Sequence, residues 1–279
     1  MRVAHIVALA FSLGHAAPAF AFDNPPPIDA PEYTGSIAAA SGWYIRGDLG
    51  YNLKINGDDP SYRDVDATGA TTAKTFDDQR FARDFSVGAG AGYQFNDFLR
   101  TDATVDYFAT TFKGKSDWAA PCTYTTGEGA FGGCSYRQQA VSALGLLANG
   151  YVDLGTYWGL TPYVGAGAGV SYVKWGDVQE SYRCYYSKKP SDCNGINYKQ
   201  AKKEGADSWR FTYALMAGVS YDVAQNIKLD LGYRYTRIGE GNMFNYSSYE
   251  RDLGAFGNKA TDKGIDRSEI RAGLRMTGW

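Results

Sequence analysis

Along the last thirteen residues, Arg267 to Trp279, apolar and polar positions alternate: Ile270, Ala272, Leu274 and Met276 against Glu269, Arg271, Gly273 and Arg275. The same pattern recurs upstream. In 83–95, Phe85, Val87, Ala89, Ala91, Tyr93 and Phe95 oppose Ser86, Gly88, Gly90, Gly92 and Gln94. In 159–175, Val164, Ala166, Ala168, Val170 and Tyr172 oppose Gly165, Gly167, Gly169 and Ser171. In 227–239, Ile227, Leu229, Leu231, Tyr233 and Tyr235 oppose Lys228, Asp230, Gly232, Arg234 and Thr236. A period of two is the signature of a strand, and a one-residue slip would put charge on the apolar face, so each register is fixed.

The pattern predicts strands at 42–54, 83–95, 98–113, 137–154, 159–175, 208–223, 227–239 and 267–278. The connections Asn96-Asp97, Gly155 to Trp158 and Ala224 to Asn226 are tight, whereas 55–82, 114–136, 176–207 and 240–266 are long, polar and without a periodicity of their own. Four long structureless loops count against a compact soluble domain. Short turns at one end and long loops at the other are what a transmembrane barrel needs, with lipid outside and a polar lumen inside. An internal repeat agrees: Gly90-Ala91-Gly92-Tyr93 precedes Asp102 as Gly218-Val219-Ser220-Tyr221 precedes Asp230, and Arg100 and Lys228 each stand two residues before the aspartate. The fold expected is all-β, an eight-stranded antiparallel up-and-down transmembrane β-barrel over 42–279.

The N-terminus changes the compartment. Arg2, the apolar run Val3 to Leu13 and the Ala19-Phe20-Ala21 cleavage pattern predict a signal peptide over 1–21, cleaved before Phe22. Residues 22–41, with Pro25-Pro26-Pro27 and Pro31, read as a proline-rich periplasmic segment. The mean hydropathy of -0.37 fits a barrel, because half of every strand is polar. The 22 tyrosines and 6 tryptophans suit interfacial girdles. A net charge of -2 argues against nucleic acid as a partner.

The candidate lumen set is Arg46, Asp48, Arg100, Asp102, Asp106, Lys228, Asp230, Arg234, Glu269, Arg271 and Arg275. Side chains fill the interior of an eight-stranded barrel, so these charges are expected to pair there, with Asp102, Asp106 and Asp230 held by Arg46, Arg100, Arg234, Arg271 or Arg275. A structural ion-pair network is favoured over a charged pore. The glycine runs Gly88–Gly92 and Gly165–Gly169 lack the following helix of a phosphate-binding loop and read as inward positions making room for long neighbours. Cys122, Cys134, Cys184 and Cys193 fall as two close pairs without zinc-knuckle spacing. Export favours disulfides, and of three connectivities the within-loop pairs Cys122–Cys134 and Cys184–Cys193 follow from proximity. The acidic stretch Asp58, Asp59, Asp64, Asp66 lacks calcium-loop spacing and reads as solvated loop.

With Gly42-Trp43-Tyr44-Ile45-Arg46-Gly47-Asp48-Leu49-Gly50-Tyr51 as first strand, the chain resembles small α-proteobacterial outer-membrane β-barrel proteins, the rhizobial and Brucella-type surface barrels related to the OmpA transmembrane domain. Val87 to Tyr93, Asn149 to Leu154, Pro162 to Gly169 and Ile270 to Leu274 carry the resemblance across most of the strands. It implies an abundant surface component that supports envelope integrity and sometimes host contact, with no catalytic residues and no cofactor. The implied partners are outer-membrane lipid and lipopolysaccharide, barrel-assembly machinery and periplasmic chaperones during biogenesis, and a host or surface ligand. Trp279 departs from the family pattern by standing one residue out of phase with the lipid face, which predicts a terminal kink or a weakened assembly signal.

Three function classes follow: a surface barrel, a narrow diffusion channel, and an outer-membrane enzyme. Both histidines, His5 and His15, lie in the signal segment. Hydrolases that use histidine as general base need a group with a pKa near neutrality, and the chain beyond residue 21 has no such group. The surface barrel is the reading preferred, with a porin-like channel as the alternative.

Overall fold

The alternating stretches fold as strands whose apolar edges face outward and whose polar edges face a shared interior. In the computed structural model the order is β1 (Gly42–Gly57), β2 (Ser61–Val65), β3 (Thr71–Thr75), β4 (Asp78–Phe81), β5 (Phe85–Gln94), β6 (Leu99–Ser116), β7 (Gly132–Asp153) and β8 (Leu160–Trp175). There follow β9 (Gln179–Tyr185), β10 (Ile196–Lys199), β11 (Asp207–Ala224), β12 (Ile227–Ile238), β13 (Gly241–Asn245), the short helix α1 (Ser248–Asp252), β14 (Asn258–Asp262) and β15 (Ile265–Thr277). The structure describes residues 41–57, 60–65, 69–76, 78–116, 132–185, 196–199 and 203–278. The expected signal peptide, residues 22–40 of the proline-rich segment, Asp58, Asp59, Asp66, Cys122, Cys193 and Trp279 lie outside the described residues, as do the side chains of Asp64, Cys134 and Cys184.

Eight strands make the wall. β1, β5, β6, β7, β8, β11, β12 and β15 pair antiparallel in that order, and β15 returns to β1 from Tyr44↔Thr277 to Gly57↔Ile265. Closure leaves no unpaired edge around the ring, which is the condition for placing a sheet in lipid. The outer surface carries Leu49, Val87, Val105, Leu146, Val164, Leu215, Leu231 and Ile270, all exposed. Aromatic pairs mark the two ends of that band on β1 and β5: Trp43 with Tyr93 at 5.3 Å, and Tyr51 with Phe85 at 5.2 Å. Eight residues of strand span about 27 Å. At a tilt of roughly 40° that is about 20 Å of membrane.

Three tight turns close the end opposite the loops. The Asn96 side chain accepts the Phe98 and Leu99 N–H groups at 2.9 and 2.8 Å, an Asx-type turn. Between β7 and β8, Gly155 and Gly159 take φ of 91° and 79°, and fully exposed Trp158 sits at φ 51°. After Thr277 the chain leaves the barrel ladder at Gly278, whose φ of 107° breaks the extended path just before Trp279.

The long connections differ from the sequence reading. Among the described residues they carry seven further strands and α1. β2, β3, β13 and β14 form a separate four-stranded sheet joining the first and last long loops through Ala260↔Tyr62 and Thr261↔Ser61. β9 extends the barrel beside β7, the bridge Val178↔Lys203 closes the third loop on itself, and Gly205↔Phe244 ties it to the fourth. Segments of four or five residues hold too few alternations to announce a strand. β4 and β9 form because wall strands β6 and β7, paired to each other up to Ser116↔Ser135, rise past the membrane and offer edges to join, whereas β2, β3, β13 and β14 pair with one another.

Refolded protein is expected to be heat-modifiable, migrating faster in unboiled than in boiled electrophoresis samples, because a closed ladder opens only as a whole. Equal migration with mainly helical circular dichroism would contradict the architecture.

Candidate functional site: a filled lumen under a folded cap

Inward side chains are layered along the axis. At the turn end, Arg100 bonds Asp153 at 3.1 Å and lies over the rings of Tyr151 and Tyr163, 4.1 and 4.8 Å from their centroids. Its terminal nitrogens meet no hydrogen-bond acceptor among the described residues, so the aromatic faces are what they rest against. Arg275 lies over Tyr44 and donates to Ser220 at 2.9 Å and to Asp230 at 3.2 Å, and the Ser220 hydroxyl also donates to Asp230. Arg46 forks between Asp48 (2.8 Å) and Asp102 (3.0 Å), and Asp102 also accepts from Tyr44 and Asn149.

The middle layer is a shared hub. Asp106 binds Arg234 at 3.0 Å and also Arg271, while Glu269 binds Arg267 at 3.1 Å, Arg271 at 3.2 Å and the Ser86 hydroxyl at 2.6 Å. Two carboxylates from β6 and β15 thus tie together three arginines. Below the loops the described lumen carries six buried arginines (46, 100, 234, 267, 271, 275) and six buried carboxylates (Asp48, Asp102, Asp106, Asp153, Asp230, Glu269), so the interior is neutral by pairing. Inward glycines make that packing fit: a Cβ on Gly88 would stand 2.6 Å from the Asp106 carboxylate.

Above the hub the lumen becomes apolar. Phe108, Phe112, Val141, Ala143, Val173, Trp175, Ile238 and Ile265 point inward and join Tyr62, Phe76, Met243 and Phe244 from the loops in one buried cluster. Phe112 centres it, 5.5 Å from Phe76, 5.2 Å from Phe81 and 5.6 Å from Trp175. Arg267 marks the boundary, its guanidinium 4.3 Å from the Phe108 ring centre. This cluster forms an apolar plug between the ionic hub and the loop strands.

Over the plug lies a second ionic cluster, this one in the cap. Glu180 binds Arg137 at 2.6 Å and Lys203 at 2.9 Å, and Glu250 on α1 binds Lys203 and Lys259. Arg210 donates twice to Asp262, at 2.8 and 2.9 Å, joining β11 to β14. Burial pushes the Glu180 carboxyl up, but Arg137 and Lys203 outweigh it and hold the pKa down at about 2.

Every lumen residue named from sequence except Lys228 is buried inside the wall. Lys228 differs: it is only partly buried, two residues beyond Asp230 toward the tight turn, and pairs with Asp222. Asp102 pairs with Arg46, Asp106 with Arg234 and Arg271, and Asp230 with Arg275, while Arg100 pairs with Asp153. Asp153 and Arg267 were missed, although continuing the alternation of β7 and β15 to their ends would have placed both inward. Cys134 lies opposite Arg183 and Cys184 opposite Gly133 in the β7–β9 ladder, whereas Cys122 and Cys193, their expected partners, lie outside the described residues.

Two outcomes follow. Asp106→Ala removes the 3.0 Å partner of buried Arg234 and one of the carboxylates that hold Arg271, and should lower unfolding stability by about 3–5 kcal/mol. Asp78→Ala, which breaks an exposed pair with Arg80, should change it by less than about 1 kcal/mol in the same urea titration, and equal effects would show that the lumen is wet. Since the folded Glu180 pKa lies below the unfolded value near 4.5, its contribution is full above about pH 4.5 and is lost as pH falls toward 2. Amide protection in β9, β13 and β14 should therefore drop between pH 6 and pH 3 while the wall stays protected, and Glu180→Gln should flatten that dependence.

The comparisons with known proteins agree with this geometry. A family model for the outer membrane protein beta-barrel domain matches residues 6–274. An uncharacterized protein of Brucella abortus (strain 2308) is 40% identical over 256 residues, 85% of either chain. A putative adhesin of Rickettsia conorii is 30% identical over 156 residues, 56% of this chain and 54% of the relative. Among solved structures, outer membrane protein OprG from Pseudomonas aeruginosa is similar at 17% identity with a TM-score of 0.41, covering 86% of this chain and 97% of that one. Closed wall, outward apolar band and family match lead to one conclusion: the chain belongs to the outer membrane protein beta-barrel domain family and is an outer-membrane protein.

Proposed function

We propose that the protein is a non-conducting, non-enzymatic surface barrel that supports envelope integrity and presents its folded cap for contact with other surfaces. The observation that carries this reading is the apolar plug. A diffusion channel needs a continuous wet path, and the cluster around Phe112 and Trp175 sits across the lumen between a neutralised ionic core and a hydrogen-bonded cap. The absence of histidine beyond residue 21 supports the non-enzymatic part. The surface-contact part draws support from relatives named as a putative adhesin and as an opacity protein of Neisseria gonorrhoeae, the latter 30% identical over 126 residues. Within-loop disulfides Cys122–Cys134 and Cys184–Cys193 would brace that cap, and calcium has no role in this reading.

Deleting the gene in its own bacterium should sensitise cells to detergents and apolar dyes without slowing uptake of small hydrophilic solutes, and a plasmid copy should restore the barrier. Slowed solute uptake with an intact detergent barrier would favour the channel and contradict the proposal.

A further inference from the structure

The wall has a seam at its loop-side rim. β1 pairs with β5 only as far as Tyr51↔Phe85, and beyond that point β4 lies beside β6, its one ladder partner among the described residues. The gap is stitched by Asn52, whose backbone N–H and Nδ2 both donate to the Asp84 carbonyl at 3.0 and 2.7 Å, and by Gln79, which donates to the Gly57 carbonyl at 3.4 Å. Between the stitches lies a crevice of about 330 Å³, lined among others by Leu53, Lys54, Ile55, Arg80, Phe81 and Arg83.

A β-bulge builds its basic lip. Strict alternation after the buried Asn52 would send Leu53 outward and Lys54 into the lumen, toward Arg267. The β1–β15 register instead skips from Asn52↔Glu269 to Lys54↔Ser268, so that Leu53 and Lys54 both face out and Ile55 is the next buried residue. A bulge of this kind re-aims a side chain at the cost of a ladder position. Lys54 and Arg83 are exposed and have no ion-pair partner among the described residues, while Arg80 shares Asp78 at 2.9 Å. Asp84, next to Arg83, spends its backbone carbonyl on the Asn52 stitch.

The height of the crevice identifies what it meets. The Tyr51–Phe85 aromatic pair lies directly below it, and aromatic rings of this kind sit at the membrane–water boundary. Lys54 and Arg83 therefore stand at headgroup level, above a lipid-facing strand and beside the apolar Leu53 and Phe81. Cations at that level attract anionic headgroups, and a guanidinium suits phosphate geometry.

We propose that this seam is a binding site for a phosphate-bearing glycolipid of the outer leaflet, with Lys54 and Arg83 clasping the phosphate, Arg80 adding charge and Leu53 lying against the lipid body. The site rests on the outer-membrane placement of the barrel and not on the proposed function, so either can fail alone. The probe is bis-phosphorylated lipid A, titrated into the detergent-solubilised full chain and read by native mass spectrometry. One bound molecule is expected. Lys54→Gln/Arg83→Gln, checked for folding by heat-modifiability, should weaken binding by about tenfold or more, as should Lys54→Gln to a smaller extent, while Lys228→Gln at the opposite rim should bind like wild type. Dephosphorylated lipid A should not bind. Undiminished binding by the double variant, or equal binding of the dephosphorylated lipid, would overturn the proposal, and a soluble polyanion outcompeting lipid A would assign the lip to a partner outside the membrane instead.

Discussion

Charge enclosed in a closed sheet has nowhere to go but to an opposite charge, and much of this structure answers to that constraint. A backbone in lipid must satisfy every N–H and C=O internally, so the sheet closes. Closure then traps the polar face of each strand, and removing a charge from water costs several kcal/mol unless a partner stands within reach. Asp106 and Glu269 meet the constraint by serving Arg234, Arg267 and Arg271 together, so strands β6, β12 and β15 are tied in register by side chains as well as by the ladder. Glycines on the neighbouring strands leave the volume those groups occupy.

The constraint also explains why the lumen changes character along its axis. Pairing can neutralise the membrane-embedded part, but the loop end opens to water, which would hydrate and loosen the ionic core. An apolar layer between core and solvent excludes that water, and the low dielectric strengthens the hydrogen bonds beneath it. Loops contribute Tyr62, Phe76, Met243 and Phe244 to this layer, so the cap and the plug form one packed unit. Rim charges play the opposite part: Lys54, turned outward by its bulge, belongs to the membrane surface and not to the lumen.

Much of the wall was legible because its physics is local. Alternation with a period of two located all eight wall strands and assigned both faces of four of them, and most of the inward aspartates and arginines followed directly. The plug was not, because Phe108 and Phe112 continue the inward register of Asp106 with side chains that the rule of a polar interior assigns to lipid. The cap was not, because its hairpins β2–β3 and β13–β14 are too short to declare themselves and meet only through β2 and β14, which lie in the first and last long loops. Individual pairs were not legible, because they depend on three-dimensional height: Arg100 reaches Asp153 on the adjacent strand, a carboxylate the sequence reading did not include.

The central claim is that side chains close the lumen, and electrical conductance of the refolded full chain in a planar bilayer tests it most directly. The account predicts a silent membrane at moderate voltage, with discrete openings emerging when Phe112→Ala/Trp175→Ala empties the plug. Stable stepwise conductance from the unmodified protein, unaltered by those substitutions, would contradict it.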